Sequence, residues 1–289
     1  MSNNNIYFNA DDAGISLGVN SAISQMMKYD TLYSVSIFPN EIYTKDAISL
    51  CKIYPQIKTG LHFNITIGKS IAGHAVLPLL TKSNNTFRYS FVGLCVAVLM
   101  RKKAILKEIE IELCAQIKYL KQTNLVIDHI NSHRHIHMIP GIFNIVYKVA
   151  NQYKIPNIRI INEKLFHTIL ISKNISFIWN GNIIKFIILK FFNIINSFSC
   201  DTSTNIYFFS ILHSCSINSD ILRKFFIPNG FEYAEIMIHP GNSALDLEDK
   251  TLKHEKNHLI SKNRDIEANT VLSRFYAIKE LIFLRLNFD

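Results

Sequence analysis

Short apolar segments alternate with helical patterns along most of this chain, and this alternation limits the folds that it can adopt. The segments predicted as strands are Ile6–Phe8, Thr31–Ile37, Lys58–Ile65, Leu125–Ile127, Asn157–Ile161 and Glu235–Ile238. Apolar residues at helical spacing predict helices at Val19–Tyr29, Lys45–Ile53, Ala104–Leu120, Ile142–Tyr153 and Arg264–Leu286. Strands that alternate with helices are typical of parallel βαβ units.

Reactive side chains follow several of these strands. Asp11 and Asp12, His62, His133 and His239 each lie at or near the end of a different predicted strand. In a closed or nearly closed α/β barrel the carboxyl ends of the strands meet on one rim, where such enzymes carry their active sites. A doubly wound open sheet is the alternative fold, but such a sheet binds its ligand at one switch point between strands. The sequence also has neither of the nucleotide-binding motifs GxGxxG and GxxxxGK[ST].

Three histidines at alternate positions, His133, His135 and His137, follow the strand at Leu125–Ile127. In an extended chain, residues i, i+2 and i+4 project from one face, so we expect the three imidazoles to point into a common space. Imidazole is the commonest protein ligand for metals and titrates near neutral pH. A polar strand end is the alternative, but three histidines within five residues favour a metal or catalytic site.

Two adjacent carboxylates, Asp11 and Asp12, follow the first strand. One could ligate a cation while the other moves a proton, whereas a turn or a helix N-cap is the alternative role. With His62 and a histidine of the triplet, the pair would complete an Asp/His/His site that keeps positions for water and substrate. His239 ends a later strand, where it could act as a general acid.

The composition fits a packed globular protein. Of the 289 residues, 48% are hydrophobic and 18% are charged, which is ample for a core. A single barrel of this length is as natural as two domains. The net charge of +9 comes mainly from scattered lysines without a nucleic-acid-binding motif, so no nucleic-acid partner is expected.

The cysteine spacing and the apolar segments indicate in which cellular compartment the protein is expected and whether it crosses a membrane. The five cysteines are widely spaced without a CxxC pair, which predicts reduced, buried thiols in a cytoplasmic protein, and the N-terminus lacks the pattern of a secretory signal. Phe91–Met100 and Ile183–Ile195 fall short of the roughly 20 apolar residues that span a bilayer, so they are predicted as buried helices. The second could instead form a surface helix that touches lipid, because its lysines are interleaved with phenylalanines.

Five motifs, in this order, resemble those of the YdjC-like carbohydrate deacetylases, which include chitooligosaccharide deacetylases and hopanoid-biosynthesis-associated relatives. They are Asn9–Gly14 (NADDAG), Gly60–Thr66 (GLHFNIT), Asp128–His137 (DHINSHRHIH), Arg159 with Glu163, and Glu235–Gly241 (EIMIHPG). Each motif is short, but the resemblance extends over most of the chain, from residue 6 to at least residue 241.

The resemblance implies an α/β fold, a distorted or incomplete TIM-like (β/α) barrel. Residues 1–289 would form a single domain, with a less certain substrate-side region at about 165–225. One divalent cation, magnesium or zinc, would be held by Asp12, His62 and His133. The implied reaction removes an N-acetyl group from an amino sugar.

The resemblance also implies roles for further residues. The cation would polarise the amide carbonyl and lower the pKa of a bound water, Asp11 would take a proton from that water, and His239 would lie near the leaving group. The remaining residues of the motifs would bind substrate or orient the ligands: Asn64, His135, His137, Arg159 and Glu163.

Two residues depart from the usual motifs. Ala13 stands where the family usually has Phe, which could widen the pocket. Asn131 stands where many members have Asp, which removes a carboxylate partner for a histidine. The region at 165–225 follows the family least, so it leaves the substrate undetermined.

Other classes stay open at this point. A metal-dependent amidohydrolase or a phosphoesterase-type barrel enzyme would use similar histidines but usually needs ligands for a second cation. A non-catalytic sugar- or metal-binding protein would have no need of Asp11 as a spare base. The expected partner is an N-acetylated sugar, either an oligosaccharide or a glycan precursor. No transmembrane span is expected in the chain, and a homodimer is compatible with this interpretation.

Overall fold

The structure is a computed structural model that describes residues 5–100, 102–172, 181–252 and 254–273. Its sheet is built from parallel strands, which are β1 (Ile6–Ala13), β2 (Ser34–Ile37), β3 (Lys58–Phe63), β4 (Ile127–Ser132), β5 (Asn157–Ile158), β6 (Ile206–Phe209) and β7 (Tyr233–Ile238).

Helices connect these strands and cover the sheet. They are α1 (Leu17–Lys28), α2 (Thr44–Ile53), α3 (Phe91–Met100), α4 (Lys102–Lys121), α5 (Ile142–Tyr153), α6 (Leu165–Ile171), α7 (Asn182–Ser197), α8 (Ser219–Lys224), α9 (Ser243–Glu248) and α10 (Lys256–Leu259). Residues 262–273 are also helical, whereas the rest of the helix predicted up to Leu286 lies outside the described residues. Among the described helices, none is long and apolar enough to cross a bilayer.

The strand order β5-β4-β3-β2-β1-β7-β6 is that of a barrel opened between β5 and β6. Apart from β5 and β6, consecutive strands are neighbours, and the first strand lies beside the last one instead of at a switch point of a doubly wound sheet. The sheet curls into a half-barrel with flanking helices, so the expected distorted, incomplete TIM-like barrel is confirmed. Because all strands are parallel, their carboxyl ends lie on one rim.

The side chain of Asn162 bridges the gap between β5 and β6. Its amide nitrogen donates to the carbonyl of Ile206 at 2.8 Å, and its amide oxygen accepts from the backbone N–H of Phe208 at 2.7 Å. Helix α7 covers the same side of the barrel, where Phe186 and Leu189 pack with Phe208 in a second hydrophobic cluster.

Substituting alanine for Asn162 tests this bridge. We expect Asn162→Ala to lower the free energy of unfolding by about 1–3 kcal/mol, because a buried N–H of β6 loses its acceptor. Urea denaturation measures the change. The matched control Asn84→Ala removes an exposed turn acceptor of Thr86 and should change stability by less than about 0.5 kcal/mol. Equal losses in both variants would contradict a closing role for Asn162.

Several predicted element boundaries are wrong. β1 continues past Phe8 to Ala13, so the acidic pair lies inside the strand, while β5 is only two residues long. The segments Phe91–Met100 and Ile183–Ile195 are helical but not fully buried, since Leu99 and Phe191 are 84% and 58% exposed. The cysteines are unpaired as predicted, but only Cys51 is fully buried.

Candidate metal centre

A bulge in β1 brings the two adjacent carboxylates to one site. The pairing of β1 with β2 shifts register between Ala10 and Ala13, and Asp12 adopts a left-handed backbone conformation with φ of 69°. In a regular strand, adjacent side chains point to opposite faces of the sheet, whereas a bulge redirects one of them. Asp11 and Asp12 therefore both line the cavity at the carboxyl ends of the strands.

Arg264 fixes the carboxylate of Asp12. Its guanidinium, fully buried in the helix at 262–273, donates to Oδ2 of Asp12 at 2.8 Å. Burial alone would raise the pKa of Asp12, but the charge of Arg264 and the neighbouring histidines together outweigh it and hold that pKa well below its usual value. Within the described part of the chain, Oδ1 of Asp12 is buried and has no hydrogen-bond partner.

Asn131 orients the imidazole of His62. The amide nitrogen of Asn131 donates to Oδ1 of Asp11 at 2.9 Å, so the amide oxygen is the atom that faces Nδ1 of His62 at 2.8 Å. His62 must then carry its proton on Nδ1, which leaves the lone pair of Nε2 free. This Nε2 lies 3.3 Å from Oδ1 of Asp12. Asn131 thus supplies the acceptor for a histidine that an Asp would otherwise supply.

His133 reaches the same place through a turn instead of an extended strand. β4 ends at Ser132, and His133–Met138 form a tight 3-10 segment in which Arg134 and His135 have φ of 55° and 58°. The expectation that the three histidines share one face of an extended chain is therefore wrong. Nδ1 of His133 lies 3.7 Å from Oδ1 of Asp12, and the ring of Phe38 packs against both His62 and His133.

The donors of Asp12, His62 and His133 fit a divalent cation. One possible ligand atom from each residue lies within 4.8 Å of the others, and all three residues are buried. Nε2 of His62 and Nε2 of His133 have no hydrogen-bond partner among the described residues, as is also true of Oδ1 of Asp12. Buried polar atoms normally have hydrogen-bond partners, so the unpartnered Oδ1 of Asp12 and Nε2 of His62, which lie 3.3 Å apart, indicate an ion site. Residues 5–100, 102–172, 181–252 and 254–273 contain no second group of this kind, as a two-cation enzyme would need.

Asp11 is held by donors on both carboxylate oxygens. Arg159 donates to Oδ2 at 2.7 Å and to Oδ1 at 2.8 Å, while the amides of Asn9 and Asn131 also donate to Oδ1. Burial would raise the pKa of Asp11, but the bidentate ion pair with Arg159, together with His62 and His239, outweighs it and keeps the pKa far below its usual value. Asp11 is therefore ionised at neutral pH and is a weak base.

His239 lies at the end of β7 in the same cavity. Its backbone N–H donates to Glu267 at 2.7 Å, and its Nδ1 has no hydrogen-bond partner in the described residues. Burial lowers the pKa of the His239 imidazole to about 3. The ring is therefore neutral at neutral pH and can either accept or donate one proton.

The cavity has a volume of about 430 Å³. Among the predicted residues, His135 lines it together with the five already described. Further lining comes from residues that the motifs did not indicate: Asn182, Lys185, Ser214, Cys215, Ser216, Glu255 and His258. Asn182 and Lys185 belong to α7, so the region at 165–225 supplies part of the cavity wall. Arg264 and Phe38 were also missed, and no local sequence pattern distinguishes them.

The remaining predicted residues lie outside the lining of this cavity. Asn64 is buried and accepts from the backbone of the turn after β3, and His137 bonds to Ser132 and to the carbonyl of Arg159. Glu163 accepts from Thr168 and from the backbone N–H of Ile211, and burial raises its pKa to about 7. Ala13 is buried, and its carbonyl accepts from the backbone N–H of Phe38; it is outside the described lining, so the smaller side chain does not border the pocket.

The half-barrel and the Asp/His/His group on its carboxyl rim define the class of this protein. It is an α/β barrel protein with one candidate cation site among the described residues. The chain belongs to the YdjC-like protein family, whose family model matches residues 5–277.

Two relatives are named for an activity on carbohydrates. A carbohydrate deacetylase of Geobacillus stearothermophilus is 33% identical over 148 residues, and a chitooligosaccharide deacetylase of Proteus mirabilis is 32% identical over 149 residues. Each match covers 51% of this chain and 56% of the relative, so this chain spans only about half the length of either relative.

One solved structure shares the fold over nearly the whole chain. It is a crystal structure from Enterococcus faecalis V583, described as a proposed cellobiose-phosphate cleavage protein. The TM-score is 0.60 at 20% identity, and the match covers 95% of this chain and 96% of the other.

Proposed function

We propose that this chain is a metal-dependent carbohydrate deacetylase, which hydrolyses the N-acetyl group of an amino sugar in an oligosaccharide or a glycan precursor. The observation that carries the proposal is the buried Asp12/His62/His133 group, in which Oδ1 of Asp12 and Nε2 of His62 are unpartnered among the described residues, beside the ionised carboxylate of Asp11 in one cavity. The names of the two relatives support a carbohydrate substrate. The ionised carboxylate of Asp11 beside the ligand group favours an enzyme over a binding protein, because binding alone requires no base.

Asp12, His62 and His133 would hold the cation, magnesium or zinc. When bound there, it would polarise the acetyl carbonyl and lower the pKa of a water ligand. Asp11 would accept the proton of the attacking water. Its low pKa suits this role only because the water is acidified, since a weak base can take a proton from a sufficiently strong acid.

Other groups in the cavity would handle the substrate. The neutral ring of His239 would first take up a proton, for which its unpartnered Nδ1 is available, and would then pass a proton to the departing amine nitrogen. His135 also has a buried, unpartnered Nδ1 in the lining, where it would contact the sugar. Arg159 would position Asp11 without touching the substrate.

We further propose that residues 1–289 act as one catalytic domain in the cytoplasm. The family match over residues 5–277 supports a single unit, and Lys185 and Ser214 connect the region at 165–225 to the cavity. Five unpaired cysteines support a reducing compartment.

Replacing Asp11 by asparagine tests the proposal directly. We expect Asp11→Asn to keep one equivalent of bound cation and to lower the rate of acetate release by about 10²–10⁴-fold, the usual contribution of a general base. Acetate is measured after incubation with di-N-acetylchitobiose and each of several cations, and bound metal is measured by mass spectrometry.

The matched control is Asp128→Asn, which alters a carboxylate paired with His129 and Lys58 at the other end of β4. It should retain at least about half of the activity, because surface ion pairs contribute little. Full activity of Asp11→Asn would refute the assigned base. Absence of acetate release from every acetylated sugar by the unaltered protein would refute the deacetylase itself.

A further inference from the structure

Helix α7 exposes a continuous apolar stripe to solvent. Its exposed members are spaced by three and four residues, so they share one side of the helix: Ile184, Ile187, Phe191, Ile194 and the following Phe198. They are between 57% and 84% exposed. Scattered apolar residues are normal on protein surfaces, but contiguous patches of this kind mark interaction sites.

Helix α3 extends this stripe. The rings of Phe91 and Phe192 lie 6.4 Å apart and join the two helices, while Val92, Val96 and Leu99 of α3 are at least half exposed. We call the exposed apolar residues of α3 and α7 the α3–α7 face. Phe186 and Leu189, on the inner side of α7, pack in the second hydrophobic cluster and anchor this helix. The exposed apolar side chains are therefore not needed to hold α7 in place.

The segments that carry this face are strongly basic. Residues 47–107 contain nine Lys or Arg and no Asp or Glu, and residues 164–200 contain four Lys and no Asp or Glu. The two segments that supply α3, α6 and α7 therefore contain 13 of the 31 basic residues of the chain and none of its 22 acidic residues. Apolar side chains flanked by basic residues without carboxylates are the pattern of helices that lie in an anionic lipid interface.

We propose that the α3–α7 face docks on the surface of an anionic lipid bilayer. The bulky side chains of α7 enter the interface, and exposed basic residues on either side of α3, which are Arg88, Lys103 and Lys107, face the lipid headgroups. The lysines of α7 take no part in this contact, because Lys185 lines the cavity and Lys190 bonds to the carbonyl of Asn162. Because α7 also supplies Asn182 and Lys185 to the cavity, docking brings the cavity wall next to the membrane. The proposal does not rest on the proposed function, since lipid binding requires no sugar substrate.

Vesicle co-sedimentation of the full chain tests this proposal. We expect binding to phosphatidylcholine vesicles that contain phosphatidylglycerol, and at least about tenfold weaker partitioning to phosphatidylcholine alone. Raising the salt from about 0.1 M to about 1 M should weaken binding, because the Debye length falls from about 10 Å to about 3 Å. Equal binding to both vesicle types would overturn the anionic assignment.

Substitutions in the α3–α7 face provide a second test of the proposal. The double variant Phe191→Ser/Ile194→Ser should partition at least about tenfold less. The control Ile53→Ser/Val126→Ser alters apolar residues elsewhere that are even more exposed, and it should match the unaltered chain. Circular dichroism melting checks that both variants fold. Equal loss in the control would overturn the proposal.

Self-association is the competing outcome. If vesicles are not bound and sedimentation velocity shows a dimer that Phe191→Ser/Ile194→Ser dissociates, the face belongs to a second copy of the chain and the proposal fails. Lack of both vesicle binding and dimer also overturns it. The Asp11→Asn variant should bind vesicles like the unaltered chain, which separates this result from any failure of the deacetylase assignment.

Discussion

Replacing His62 by alanine is expected to abolish both cation binding and deacetylation. The imidazole of His62 is one of only three donors in the Asp12/His62/His133 group, and its Nε2 is oriented by Asn131. A cation in a hydrolytic site contributes several kcal/mol to transition-state stabilisation. Its loss should lower activity about 10³-fold or more, since each 1.36 kcal/mol is a factor of ten.

Metal content and rate together check this expectation. The unaltered chain should bind one equivalent of magnesium or zinc in equilibrium dialysis, and His62→Ala should bind none at the same free concentration. The control His74→Ala removes an imidazole that bonds to Thr81 outside the cavity, so it should keep both the cation and the activity. Undiminished stoichiometry in His62→Ala would show that these residues do not form the metal site.

Replacing Arg159 by methionine is expected to have the largest effect on stability. Arg159 is fully enclosed between Asp11 and Glu235, with bonds of 2.7 Å to each carboxylate, and its guanidinium lies 5.0 Å from the centre of the Phe208 ring. Removing one partner of a buried pair leaves an uncompensated charge, which costs about 3–5 kcal/mol. Urea denaturation at neutral pH measures this loss.

The ion pair between Asp11 and Arg159 also makes the stability of the protein depend on pH. The pKa of Asp11 is lowered in the folded protein, so its contribution is present above the usual carboxyl pKa of about 4 and is lost as the pH falls below that value. In Arg159→Met the burial of Asp11 is no longer offset, and its pKa should rise above the usual value. The variant should therefore lose less stability on acidification than the unaltered chain.

An exposed arginine provides the comparison. Arg223→Met breaks an i,i+3 pair with Asp220 on α8, where the arginine side chain is 74% exposed. We expect a change of less than about 1 kcal/mol, because exposed ion pairs contribute little. If Arg159→Met were as mild as Arg223→Met, Arg159 would not be holding a buried charge.

The sequence by itself determined the barrel and the rim. Strands alternating with helices predict parallel βαβ units, and a parallel sheet places every strand end on the same side. This is why Asp11, Asp12, His62, His133 and His239 could be expected to meet although they lie far apart in the chain. The resemblance to the family then singled out Asp12, His62 and His133 as the ligands.

Only the tertiary structure decided how these side chains point and what holds them. The bulge that turns Asp12 toward Asp11, and the left-handed residues after His133, are backbone conformations that hydrophobic periodicity does not encode. The partner of Asp12, Arg264, is 252 positions away in the sequence, and no local pattern marks it among the other basic residues. Burial likewise depends on long-range packing, which is why α7 has a core side, a cavity side and an exposed apolar side that its sequence alone could not separate.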